Sequence, residues 1–211
     1  MSPSVRKRLP PEERRAQLLE TALAVVARRG FGRAGHAEIA EAAGVAVSTV
    51  FVYFPTREEL LKTVLEEVGR FYLELAVDVH SQPLSCRDVL ALHRQRFHES
   101  LETHPHHARI ALDWSTAMRE DLWPLYLEFI EQLVANHILT IERGQRDGDV
   151  PESVDPETSA RMLIGSSQMT AQLKLTGTDP DRVDRIASML IDAALGWLTP
   201  ADEAELALRS A

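Results

Sequence analysis

Ser48, Thr49, Val52 and Tyr53 fall inside one short stretch, "VSTVFVY", and no acidic side chain occurs between Ala42 and Arg57. On a helix, side chains four apart are neighbours, so residues 48, 49 and 52 form one continuous patch. Hydroxyls can bond to any base edge in a major groove, and an apolar side chain can touch the thymine methyl. Tyr53, Thr56, Arg57 and Lys62 are donors suited to phosphate oxygens, and the opening amides of a helix beginning near Gly35 and His36 would add more. Phosphate contacts of this kind position a protein on a duplex, whereas the patch at 48, 49 and 52 would read it. The competing reading is a plain helical corner inside a bundle.

Other chemistry is thin. "THPHH" (Thr103 to His107), with His93 and His98 upstream, invites a metal, but His93 and His98 are five apart and do not share a helix face. Neither a Cys pair nor paired carboxylates complete a shell, so a polar interhelical turn is the preferred reading and no metal is assigned. Cys86 stands alone, which excludes an internal disulfide and fits a small buried hydrophobe. Gly-rich phosphate loops, nucleophile elbows and zinc-protease motifs are missing, so no catalytic residue, no cofactor and no enzyme activity is expected.

The elements that would carry these residues are helical. Gly and Pro separate periodic segments and strand-type alternation is missing, which predicts an all-α protein. The first helix is expected over Pro11 to Arg29, with Leu19, Leu23 and Val26 as its buried stripe. Two short helices follow, over His36 to Ala43 and Val47 to Phe54, joined by "GVA" with Gly44 in a left-handed turn, the arrangement of a helix-turn-helix. Ile39, Ala40 and Ala43 on one, and Val47, Val50, Phe51 and Phe54 on the other, form the expected buried faces. A long helix should start at Arg57, with Thr56 as N-cap and Glu59 completing a capping box, and run to Val79, roughly 34 Å. Further helices are expected over Arg87 to Glu102, His106 to Met118, Leu122 to Arg146, Pro156 to Leu175 and Pro180 to Leu198. The last two open on Asp155-Pro156 and Asp179-Pro180, each an N-cap followed by a first-turn proline.

Charge divides the chain. Overall it carries a formal net charge of -9, which argues against a polyanionic partner. Residues 1 to 62, however, hold ten Lys/Arg against seven Asp/Glu, leaving a strongly acidic remainder. Before residue 36 the excess is eight basic residues to three acidic ones. A basic head on an acidic body suits a chain that meets an anion at one end. The longest apolar run is too short to span a membrane, and the opening "MSPSVRKRLPPEERR" lacks the apolar core of a signal peptide, so a cytoplasmic protein is expected.

The stretch "AEIAEAAGVAVSTVFVYFPTREELL" resembles the helix-turn-helix of TetR-family transcriptional regulators, and the likeness extends well over residues 11 to 65. It implies about nine helices: a flexible basic arm over 1–10, a DNA-binding domain over 11–56, and an effector-binding and dimerising body over 57–211. It also implies a homodimer on a pseudo-palindromic double-stranded DNA operator and a small-molecule effector. The segments "KRLPPEERRAQLLETALAVVARRGFGRAGHAEIAE", "TVFVYFPTREEL" and "DWSTAMREDLWPL" are similar to a narrower group in that family, the HapR/LuxR-type quorum-sensing master regulators. That likeness implies that Arg6, Lys7 and Arg8 enter the minor groove. It also marks a departure, because Val52 stands where that group carries an asparagine able to bond bases. A local repressor of an efflux or metabolic operon is the alternative within the class, and an all-helical carrier or enzyme the alternative outside it.

In the body, Phe97, Trp114, Met118, Leu133 and Met169 are candidates to line an apolar ligand pocket, with ordinary core as the competing reading. The last two helices carry small and apolar residues in series. These are Ala160, Leu163, Ile164 and Ser167, and then Val183, Ile186, Ala187, Leu190, Ala194 and Trp197. They would form a four-helix interface with a second copy, or else bury that stripe within one chain.

Overall fold

A computed structural model describes residues 9–117 and 121–197. Among them lie nine helices: α1 (Pro11–Arg29), α2 (His36–Ala43), α3 (Val47–Tyr53), α4 (Arg57–His80), α5 (Cys86–Thr103), α6 (Pro105–Thr116), α7 (Trp123–Asp147), α8 (Pro156–Leu175) and α9 (Pro180–Ala194). The all-α reading and the order of elements hold. None of the described helices is long and apolar enough to cross a membrane.

Local chemistry sets the helix ends. Asp155 and Asp179 accept from the amides of Thr158 (2.8 Å) and Arg182 (3.0 Å), one full turn in, and each is followed by a proline whose missing N–H costs nothing there. Ser85 does the same for Asp88 at 3.2 Å, which starts α5 at Cys86, one residue before the expected Arg87. At α4 the Thr56 hydroxyl accepts from the Glu59 amide at 3.1 Å. The helix reaches His80, one residue past the expected end. Met118 and Leu198, the expected ends of two helices, lie outside the described residues.

The chain divides into two compact units. Of the described residues, one comprises 9–69 with 105–117 and 121–122, and the other 70–104 with 123–197. The first turns of α4, after Thr56, group with the first unit. The cause is apolar: Leu60, Leu61, Val64, Leu65 and Val68 of α4 are almost fully buried, so the first turns of that helix belong to the head's core.

In the first unit α1 packs against α2 and α6, and α2 against α3. The buried stripe of α1 is broader than expected. Leu18, Ala22, Leu23, Val25, Val26 and Ala27 are buried, while Leu19 is only half-buried, because the helix is covered from two sides. Trp114 of α6 is 2% exposed, and its indole N–H donates to the Leu122 carbonyl at 3.2 Å.

In the second unit Cys86, Leu90, Val134, Ile141, Val150, Ala160, Leu163, Ile191, Ala194 and Leu195 form one core. Gly144 is required at its centre, since a Cβ there would stand 2.8 Å from both Cys86 and Val150. Part of the small and apolar series on the last two helices belongs to this core. Ala160, Leu163, Val183, Ala187 and Ala194 are buried within the chain, and Ile164, Ser167, Ile186, Leu190 and Trp197 are half-buried. The periodic stripe is real, but it serves α5, α7 and the α8–α9 contact, which leaves different residues on the outside.

Candidate nucleic-acid interface

The turn between α2 and α3 is a Schellman motif. Gly44 adopts φ 64°, ψ 41°, the Val45 amide donates to the Ala40 carbonyl at 3.0 Å, and the Gly44 amide donates to the Glu41 carbonyl at 3.2 Å. A left-handed residue here removes two orphan carbonyls and reverses the chain, and glycine adopts it without a Cβ clash. The Thr49 amide then donates to the Ala46 carbonyl at 2.9 Å, closing the first turn of α3.

Of the four residues expected to bury α3, only Val50 and Phe54 do so. Val47 and Phe51 are 41% and 48% exposed. With seven residues and α2 as its main neighbour, α3 can hide only a narrow stripe, so it presents more than half its circumference. Ser48 and Val52 are fully on that outer face, Val52 at 75% exposure, and Thr49 and Tyr53 are half-buried at its flanks. Thr56 and Lys62 are exposed beyond its C-terminus. Lys62 meets Glu66 at 3.7 Å with both side chains mostly in water, a pairing too weak to withhold the ammonium from another anion.

Two side chains of this region are engaged within the head. The His36 ring is buried, its Nε2–H donates to the Phe54 carbonyl at 2.6 Å, and it stacks on Phe51 at 4.0 Å between centroids. Arg57 donates from Nε to the Ala34 carbonyl at 3.0 Å and from Nη2 to the Phe31 carbonyl. These side chains clamp α3 and the α1–α2 loop to the rest of the head. At the start of α2 the backbone is better placed than the imidazole. Gly35 is extended and provides no side-chain cap, so the first-turn amides keep the donors that a helix N-terminus cannot satisfy internally. Arg6, Lys7 and Arg8 lie outside the described residues.

The residues proposed for a pocket are divided between the units. Trp114 sits in the first, while Phe97, Leu133 and Met169 are in the second, and Met118 lies outside the described residues. Phe97 is half-buried edge-on to Tyr72 at 5.5 Å, Leu133 is half-buried, and Met169 is 40% exposed. A groove of about 290 Å³ in the second unit is lined by Arg94, His98, Glu99, Lys174 and Asp184 together with Pro180 and Val183.

Residues 18–64 match the family model described as bacterial regulatory proteins, tetR family. The HTH-type transcriptional regulator LuxR of Vibrio harveyi is 38% identical over 164 residues, 76% of this chain and 78% of that one. The chain belongs to the tetR family. It is a DNA-binding transcriptional regulator, and α2–α3 is its helix-turn-helix. The fatty acid metabolism regulator protein of Bacillus subtilis is 26% identical over 160 residues, 73% of this chain and 79% of its own length. The crystal structure of the transcriptional regulator FadR from Bacillus subtilis in complex with stearoyl-CoA shares the fold. Its TM-score is 0.72 at 20% identity, covering 87% of this chain and 99% of that one.

Sequence reasoning missed one further grouping. His80 of α4, His93 of α5 and His137 of α7 bring one ring nitrogen each within 4.8 Å of one another. They are 13 and 44 residues apart in the chain, so no local spacing announces them.

Proposed function

We propose that this regulator reads DNA as a cytoplasmic homodimer, with Ser48, Thr49 and Val52 at base edges in the major groove. Tyr53, Thr56, Lys62 and the amides at Gly35 and His36 hold phosphate, and Arg57 and the His36 ring keep the reading helix in place. The observation that carries this is the outer face of α3: it is acid-free, reaches 75% exposure at Val52, and stands on a turn and two clamps that fix its direction. Arg6, Lys7 and Arg8 act as a minor-groove arm.

Two copies are needed because one short helix reads too few base pairs, whereas two about 34 Å apart read a palindrome. The self-contact suits the outer face of α8, where Met162, Gly165 and Met169 follow at helical spacing and are exposed, with Met189 of α9 exposed as well. A small apolar effector in the second unit, against Phe97 and Leu133, weakens DNA binding. Support comes from the Bacillus subtilis relative of the same fold, whose structure holds stearoyl-CoA. The 38% identity to LuxR over three quarters of the chain favours a regulator of many promoters over a local repressor.

The test is a salt titration of DNA affinity for the intact chain and for a variant with Arg6, Lys7 and Arg8 replaced by Ala. The arm variant should bind all sequences more weakly with a shallower salt slope. An unchanged slope would remove the arm from the interface. Mapping bound sites across the genome separates the two regulatory scopes, dozens of promoters against one.

A further inference from the structure

We propose that His80, His93 and His137 form a binding site for a divalent transition-metal ion of the zinc class, distinct from the DNA interface and from the apolar effector. The three residues come from three different helices of the second unit, and their rings make a nearly equilateral triangle. Centroids are 4.9 Å apart for His80–His93, 4.6 Å for His80–His137 and 4.9 Å for His93–His137. The His80 and His137 side chains are buried and His93 is half-buried.

The outer hydrogen bonds orient the rings as ligands. His137 Nδ1 lies 2.9 Å from the Leu133 carbonyl, an acceptor only, so the proton sits on Nδ1 and the lone pair on Nε2. His80 Nδ1 lies 2.7 Å from the Thr140 hydroxyl, leaving Nε2 directed at His93 Nδ1, 2.7 Å away. A metal-bound imidazole ordinarily donates its other N–H to a carbonyl or a similar acceptor, and Leu133 and Thr140 occupy those places.

A tetrahedral ion with nitrogen at about 2.0–2.1 Å needs its ligands about 3.3 Å apart. The His80–His93 pair, at 2.7 Å, would therefore open by about 0.6 Å, and the wider separations in the triad, up to 4.8 Å, would close around the ion. Each ring would keep its one proton on the nitrogen away from the ion, His80 on Nδ1 facing the Thr140 hydroxyl and His93 on Nε2, so the proton between the two rings shifts to the far nitrogen of its own ring and no net proton change is required. Three imidazoles without a carboxylate select zinc, cobalt, nickel or copper over magnesium or calcium. A cavity of about 20 Å³, whose polar lining is His93, His137, Ser166, Ser167, Thr170 and Arg94, has room for one water, which suits a fourth ligand hydrogen-bonded to hydroxyls, with the Arg94 guanidinium a further cation to be offset. Arg143, whose Nη1 donates to the His80 carbonyl at 3.4 Å, places a cation nearby, so affinity should fall below that of a closed four-ligand zinc site.

The experiment is calorimetric titration of the chelator-treated full chain with Zn²⁺, repeated with Co²⁺ for its ligand-field spectrum. One ion per chain is expected, with a tetrahedral Co²⁺ spectrum. His93→Gln should weaken binding by on the order of 100-fold, and Thr140→Val, which keeps the ligands and the volume, by about tenfold. His106→Gln, exposed in the first turn of α6, should change nothing. His93 is the least buried ligand, and circular dichroism of each variant establishes that it is folded. Lack of binding, an octahedral spectrum, or binding lost with His106→Gln and retained in His93→Gln would overturn the proposal.

Discussion

The Nε2–H of His36, at the start of α2, donates to the backbone carbonyl of Phe54, the residue that ends α3, across 2.6 Å. The same ring lies flat against Phe51, with 7° between planes. One side chain thus fixes both the end and the roll of the reading helix, and the direction in which Val52 projects depends on it. His36→Ala removes a buried hydrogen bond and a stacked pair, for a loss of about 1–3 kcal/mol. Urea denaturation should show a lower midpoint, and preferred duplexes should lose more affinity than random ones. Unaltered discrimination would mean that α3 holds its orientation without the clamp.

Arg57 holds two carbonyls of the α1–α2 segment with one planar fork. Lysine has a single ammonium and cannot reproduce that geometry. Arg57→Lys is therefore expected to behave like Arg57→Ala, lowering stability by about 1–2 kcal/mol while keeping positive charge. Recovery of full stability in the lysine variant, measured by thermal melting, would instead assign Arg57 an electrostatic role.

The helix-turn-helix and the later helix starts are legible in the sequence because their signals are local: Gly44 in a left-handed turn, Thr56 one turn before Glu59, and Asp-Pro pairs at α8 and α9. What is not legible there depends on long-range packing. Val47 and Phe51 obey the helical period, yet α3 has too few neighbours to cover them. Leu163 and Ala187 obey it too, but their partners are in the same chain. His36 and Arg57 are polar residues near a DNA-reading motif, and only the positions of the Phe54, Ala34 and Phe31 carbonyls show that their side chains also tie that motif together. The histidine triad comes from three helices and is invisible until they pack.

Val52 and Thr49 should carry sequence information, whereas Lys62 should not. Thr49→Ala should reduce affinity for preferred sites by about 1–3 kcal/mol relative to random ones, and Val52→Asn should alter the preferred base at its position. Lys62→Ala should weaken all sequences equally and reduce the salt slope by about one. Competition binding with preferred and scrambled duplexes separates the three. Equal losses everywhere for Thr49→Ala would move it to the phosphate contacts.

Acid should destabilise the second unit through His98. Burial, reinforced by Arg94 and Lys174 and opposed by Asp184, lowers its pKa from 6.5 to about 4, and its Nε2 lies 3.1 Å from the Thr170 hydroxyl. The unfolded chain then takes up the proton first, so stability is complete above pH 6.5 and falls between there and about 4. His98→Gln should flatten that part of the melting-temperature profile, measured in the presence of a chelator. An unchanged slope would show that His98 is not protonated on unfolding in this range.

The central claim, that the outer face of α3 reads sequence in a dimer, is tested most directly by selecting bound duplexes from a random pool with the intact chain and with Val52→Asn. The expected result for the intact chain is a pseudo-palindrome whose half-sites are about one helical turn apart. In the variant the base opposite residue 52 should change and the remainder of the motif persist. Recovery of no motif, or of the same motif from both proteins, would contradict it.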